Sequence, residues 1–167
     1  MGPAFAAIGA GLAALLEATI ASRFQIFGAQ LQLVLVLGVV VTVVYGFEDG
    51  MIWAFVGGLL VDFLGMRPLG STPFGLLIIL AATELASPLL NRARYPAVIA
   101  VVAILTPVFL AMSGVLTSLL NPPAPSPRVT TLLAAAAANA IFAALIAPIL
   151  IGLKRRAETR ERVVWWR

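Results

Sequence analysis

The chain has 167 residues, of which 62% are apolar and 11% charged, with a net charge of +4 and a mean hydropathy of +1.07. The length suits one domain, but this balance lies outside the soluble globular range and marks an integral membrane protein. There is neither Cys nor His, which removes disulfides, thiolate nucleophiles, sulfur-ligated metals and the commonest acid/base group, so no metal and no other cofactor is expected. The basic residues gather at the C-terminus and in one short loop, as the inner side of a membrane protein requires, and no nucleic-acid partner is expected.

About 20 apolar residues cross a bilayer as a helix whose backbone satisfies its own hydrogen bonds. The first such run spans residues 4–22. It has no basic residue before it and no convincing cleavage site, which favours a retained helix over a signal peptide. Ala6, Ala10, Ala14 and Ala18 recur on it every fourth residue, a spacing that lets another helix approach closely, either inside the bundle or at a partner. Glu17 sits near its end.

The second run, 30–46, ends in a Gly46 to Gly50 connector, and the third covers 50–65. The third is the shortest and carries Asp62, so a re-entrant or tilted segment is an alternative there. Gly50, Ala54, Gly58 and Asp62 form a stripe along it at the same four-residue spacing. Gly65 suits a helix C-cap with Pro68 shortly after, and Thr72-Pro73 reads as an N-cap and first-turn proline opening a fourth run, 73–90. Glu84 lies in the inner half of that run, where Thr83, Ser87 or Asn139 would satisfy it, or Arg92 and Arg94 reach toward it.

The fifth run, 96–119, contains Pro107, a tolerated kink. The Pro-rich segment Asn121 to Arg128 separates it from the sixth, 129–152, whose Ala136, Ala140 and Ala144 form a further small-residue stripe. The expected division is therefore a six-helix transmembrane domain over 1–153 and a basic cytoplasmic tail over 154–167. The tail either continues the sixth helix along anionic lipid, anchored by Trp165 and Trp166, or is a stop-transfer charge cluster with a frayed end. With both termini cytoplasmic, the inner side holds Arg92, Arg94, Lys154, Arg155, Arg156, Arg160, Arg162 and Arg167, against Arg23, Arg67 and Arg128 outside, the asymmetry expected of a multi-pass inner-membrane protein.

Ionisable residues at membrane depth are costly and face protein or water, which singles out Glu17, Asp62 and Glu84. Intramembrane aspartyl proteolysis needs two carboxylates at one depth, and only Asp62 is available. Serine-based proteolysis wants a His or Lys base, and none lies within a span. A proton relay through three acids split between leaflets is thin, and a small-ligand pocket would find few polar partners beyond Asn139 and the acids. The expectation is that Asp62 and the following Gly-Met-Arg-Pro-Leu-Gly-Ser loop form a structural corner, the carboxylate accepting loop amides or pairing with Arg67. The plainer alternative is a carboxylate that reaches outer-leaflet water.

Gly58-Leu59-Leu60-Val61-Asp62 followed by Pro68-Leu69-Gly70, with Tyr45-Gly46 and an acidic turn before them, resembles the MreD family, the small membrane component of the bacterial rod-shape machinery. The likeness in length and hydropathy covers nearly the whole chain. The family often carries a Pro-Asp pair at the start of span two, where this sequence reads Gln30-Leu31-Gln32. The resemblance implies an all-α, six-helix bundle similar to the substrate-binding S components of energy-coupling-factor transporters. It also implies a non-enzymatic scaffold of the cell-elongation complex that binds MreC directly. Through MreC it would meet MreB, RodA and a class B penicillin-binding transpeptidase, helping to organise peptidoglycan synthesis among the membrane lipids. Gly58, Asp62, Arg67, Pro68, Gly70, Glu17 and Glu84 are the structural or partner-binding candidates on this reading. Ala6, Ala10, Ala14, Ala18, Gly50 and Ala54 are the helix-packing ones. The same fold likeness makes a vitamin-binding transporter component the alternative.

Overall fold

A computed structural model describes residues 2–19, 25–26, 29–120 and 128–164. Among them are six helices, α1 (Pro3–Thr19), α2 (Leu33–Tyr45), α3 (Phe47–Leu64), α4 (Ser71–Leu85), α5 (Ser87–Leu120) and α6 (Val129–Val164). A two-residue antiparallel ribbon, β1 (Gln25–Ile26) with β2 (Ala29–Gln30), joins α1 to α2 and pairs Gln25 with Gln30. Sequence periodicity gives no warning of this ribbon.

The hub is α2. It packs against every other helix, and α1, α3, α4, α5 and α6 contact one another in that order around it. Its sequence, LVLVLGVVVTVVY, is apolar on all sides and buried at Leu33 to Val36 and Gly38 to Thr42, as a helix surrounded on all sides must be. Two of the outer helices, α1 and α6, are built the opposite way from those of a water-soluble bundle, whereas α4 and α5 turn Leu76, Ile79, Leu80, Val98, Val102 and Phe109 inward. On α1 the small residues Ala6, Ala10, Ala13 and Ala14 are buried, while Phe5 is 70% exposed and Ile8 62%. Large apolar side chains outward and small ones inward is the arrangement of helices that sit in lipid and associate by close packing. Within α5 and α6, Pro96–Leu119 and Val129–Lys154 are each long and apolar enough to cross a membrane, whereas α1, α2 and α4 are shorter apolar helices.

Small residues on α3 decide how closely its neighbours approach. A Cβ on Gly58 would stand 2.7 Å from the Pro73 backbone of α4, and one on Gly57 2.7 Å from Val34 of α2. Gly50 lies against Thr42 of α2, and Ala54 is fully buried. Trp53 fills the remaining space between Gly9 of α1 and Gly38 of α2, and its indole N–H donates to the Val34 carbonyl at 2.9 Å.

Several boundaries differ from expectation. The turn expected over 46–50 is Gly46 alone, at φ 109, and α3 already begins at Phe47; the positive φ is what lets one residue reverse the chain. The fourth helix ends at Leu85 rather than 90, and α5 starts at Ser87 and runs without a break through the expected loop at 91–95. The buried stripe of α6 is Ala135, Asn139, Ala143 and Ala147, one residue out of register from Ala136, Ala140 and Ala144. Of the α1 stripe, Ala6, Ala10 and Ala14 face the interior and Ala18 is half-buried. Finally, α6 continues past Lys154 to Val164. At that level the Lys154 ammonium donates to the Val44 carbonyl and lies 5.8 Å from the Tyr45 ring centroid, placing a cation on the last turn of α2, where the helix dipole favours it.

Candidate functional site

At 13 and 15 residues, α2 and α4 are only about 20 Å long. Each therefore begins within the bundle instead of in water. The first amides of a helix have no partner inside it, and in an apolar setting each one left bare costs several kcal/mol. Asp62, Asn139 and Thr106, with half-buried Glu17, gather at these two helix starts, whereas Thr42 and Thr83 bond carbonyls of their own helices.

At the start of α4, Gly70 is the N-cap residue, with φ 96, and has no side chain to offer. The cap comes from α3. The Asp62 carboxylate, with no exposed surface, accepts the Gly70 N–H at 2.9 Å, the Thr72 N–H at 3.1 Å and the Ser71 hydroxyl at 3.2 Å. An anion at a helix N-terminus is further favoured by the helix dipole. The same residue closes the loop from its other side, because the Arg67 N–H donates to the Asp62 carbonyl at 2.9 Å. With Gly65 as C-cap and Met66 at φ 51, that bond is the six-to-one link of a Schellman turn.

Gly65 is the C-cap as expected, with Met66 the left-handed residue after it, while Thr72 contributes its backbone amide rather than a capping hydroxyl. The alternative pairing of Asp62 with Arg67 does not occur: among the described residues no ion pair joins them, and the Arg67 side chain turns instead to a cavity it shares with Glu17. Pro68 helps shape the loop, its carbonyl accepting the Ser71 N–H at 3.2 Å. Gly58 lies one turn before Asp62, where the lack of a side chain lets Pro73 approach.

At the start of α2 the arrangement is repeated with other residues. Glu17 of α1 accepts the Val34 N–H at 2.8 Å. Asn139 of α6, fully buried, accepts the Gln32 N–H at 3.0 Å and donates to Thr106 of α5 at 3.2 Å and to the Gln32 side chain at 3.4 Å. Three helices thereby meet on the first turn of α2. Asn139 is committed here, and Thr83 donates to the Ile79 carbonyl, so neither serves Glu84 as expected. Glu84 is half-buried on the last turn of α4, and the side chains of Arg92 and Arg94 lie outside the described residues.

Between the ends of α1 and α3, beside β2 and the Arg67 loop, lies a cavity of about 260 Å³ lined by Glu17, Ala18, Gln30, Val61, Leu64, Gly65 and Arg67. A smaller recess of about 20 Å³ extends from it past Gln32 and Thr72 to Phe109. The Gln32, Asn139 and Thr106 network escapes sequence reading because a single Asn in a run of alanines gives no hint of which helix it faces. The one available signal is the pair Gln30 and Gln32 beside an otherwise apolar helix.

Asn139→Leu should remove the Gln32 amide's acceptor while keeping the branched shape, destabilising the protein by about 2 kcal/mol. Thr106→Val, which leaves that amide satisfied, should cost about 0.6 kcal/mol, the mean for interhelical hydrogen bonds in a membrane protein. Unfolding of the purified variants in detergent, followed by Trp fluorescence, checks the order of the two.

This geometry describes a membrane-embedded bundle whose interior acids and amides serve to define where helices begin. No curated protein and no solved structure matches the chain. The family model described as rod shape-determining protein MreD matches residues 3–157, nearly the whole length, and the chain belongs to that family.

Proposed function

We propose that the protein is a non-enzymatic scaffold of the cell-elongation complex, held in the bacterial cytoplasmic membrane by six crossings with both termini inside. It binds MreC directly and through it associates with MreB, RodA and a class B penicillin-binding transpeptidase. Family membership supplies the rod-shape role. The observation that carries the scaffold reading is the use made of the interior polar groups: Asp62, Glu17 and Asn139 each hold the start of a helix from a neighbouring helix. Groups spent in that way stiffen a platform, whereas a conduction path needs acids spaced along the membrane. The 1–153 bundle presents its apolar flanks to lipid and to partner helices, and the basic segment from Lys154 onward lies on the cytoplasmic face, where anionic lipid attracts it.

The test is capture of the tagged chain from its native membrane after crosslinking, with identification of bound proteins. MreC should be recovered together with RodA and the transpeptidase, and a reporter fused after Arg167 should be active only in the cytoplasm. Capture without MreC would overturn the reading. A bound vitamin with co-purifying ATPase subunits would put a transporter component in its place.

A further inference from the structure

The cavity between the ends of α1 and α3 is lined by opposite charges that attract one another across it without closing to contact. Glu17 and Arg67 both face it, yet among the described residues no ion pair within 4 Å joins them. Arg67 is exposed on its loop, and the carboxylate closest to it in sequence, Asp62, is occupied by Gly70, Ser71 and Thr72. Glu17 gives one oxygen to the Val34 amide and also faces the Leu33 amide, and a carboxylate has about four lone-pair positions, so capacity remains for further donors. An anion alone would face Glu17, and a cation alone would face Arg67. A ligand that carries both charges a short distance apart satisfies the pair.

We propose that this cavity binds the headgroup of an aminophospholipid, a phosphate ester bearing a primary ammonium. The Arg67 guanidinium takes the phosphate, for which its planar fork is suited. Glu17 takes the ammonium, and the Gln30 amide completes the polar wall. The opposite wall is apolar, formed by Ala18, Val61 and Leu64. Leu64 is itself exposed, and its chain neighbours Phe63 and Met66 are exposed apolar side chains at the same end of α3, where acyl chains would lie. That continuity favours a lipid over a free zwitterion of the same chemistry. The assignment depends on the six-crossing reading only for its leaflet, the outer one.

The experiment uses the full chain, purified in detergent and exchanged into phosphatidylglycerol vesicles doped with phosphatidylethanolamine or phosphatidylcholine, with retained lipid measured by native mass spectrometry. Wild type should keep phosphatidylethanolamine in preference to both other lipids, since choline has no N–H to donate and glycerol no charge. Arg67→Ala and Glu17→Gln should each lower its retention at least about tenfold, the order expected for one charge-assisted contact. Glu17→Gln keeps an acceptor for the Val34 amide, and Arg67→Ala changes an exposed loop side chain, so one variant reports even where the other unfolds. Equal retention of phosphatidylglycerol and phosphatidylethanolamine, or wild-type retention in both variants, would overturn the proposal. Soluble phosphoethanolamine binding as tightly as the lipid would keep the chemistry and reassign the source. No MreC is present in this assay, so its failure and the failure of the scaffold reading are distinguishable.

Discussion

Asp62→Leu should destabilise the protein by about 3–5 kcal/mol, because it strips the acceptor from two buried amides at roughly 1–3 kcal/mol each and from one hydroxyl. The amides are those of Gly70 and Thr72, and the hydroxyl is that of Ser71. None of the three has another side chain supplied by its own helix, since the N-cap position is a glycine. Asp62→Asn should fall between Leu and wild type. Its carbonyl accepts one of the amides, while its NH2 group meets a donor where an acceptor is needed and the favourable charge at the helix start is lost. The ordering Asp, then Asn, then Leu is measured as the apparent unfolding midpoint in detergent. Equal midpoints for Asp62→Leu and wild type would mean that the α4 start is capped by something else.

Corner and platform are linked through this residue. Asp62 holds the end of α3 with its carbonyl and the start of α4 with its side chain, so one residue determines the angle at which two packed helices part. If partner binding depends on that corner, capture of MreC should fall in parallel with the unfolding midpoint across the Asp62 series. Loss of capture without loss of stability would instead indicate a direct contact at the loop.

How much of this was legible in the sequence varies from residue to residue, for physical reasons. An acid in an apolar run beside Gly65, Arg67, Pro68 and Gly70 must find hydrogen-bond donors, and a loop is the nearest source of free amides, so the two partners weighed for Asp62 follow from the sequence alone. The choice of amides over Arg67 does not. It depends on Met66 adopting a left-handed conformation, which directs the Arg67 backbone to Asp62 and its side chain to the Glu17 cavity. The break between α4 and α5 has an available signal in Ser87-Pro88, the same polar residue and first-turn proline as Thr72-Pro73, but it does not show in hydropathy across Leu85 to Leu90. The α6 stripe is displaced for a similar reason. In the run Ala134 to Ala138 every register reads as small, and only the burial of Asn139 identifies the inward face. The short length of α4 is hidden at its far end, where Ala86, Leu89 and Leu90 continue the apolar run; α2 is visibly bounded by Gln32 and by Gly46 with Glu48 and Asp49, but nothing in the sequence says that its first amides are met by Glu17 and Asn139.

The α3 glycines carry the second large expected effect, and they separate packing from helix propensity. Gly58→Ala would place a Cβ 2.7 Å from both the N and Cα of Pro73. These are backbone atoms in the first turn of α4, and they cannot rotate away as a side chain would. Relieving the clash means moving α4 away from α3, which also stretches the Asp62 hydrogen bonds a turn further on. The loss should reach about 3 kcal/mol, the upper part of the range for overpacking, despite the gain of up to about 1 kcal/mol that alanine brings to a helix interior. Gly152→Ala isolates that gain. Nothing lies within 4 Å of the added atom, so the substitution should stabilise α6 by about 0.4–1 kcal/mol. Gly9→Ala falls between them, because its close neighbour is the edge of the Trp53 ring at 2.8 Å, a side chain with some freedom to shift although tied by its bond to Val34. Unfolding of the three variants in one detergent should give Gly152→Ala above wild type, Gly9→Ala below it and Gly58→Ala lowest. Wild-type stability in Gly58→Ala would mean that α3 and α4 stand further apart than this close packing requires.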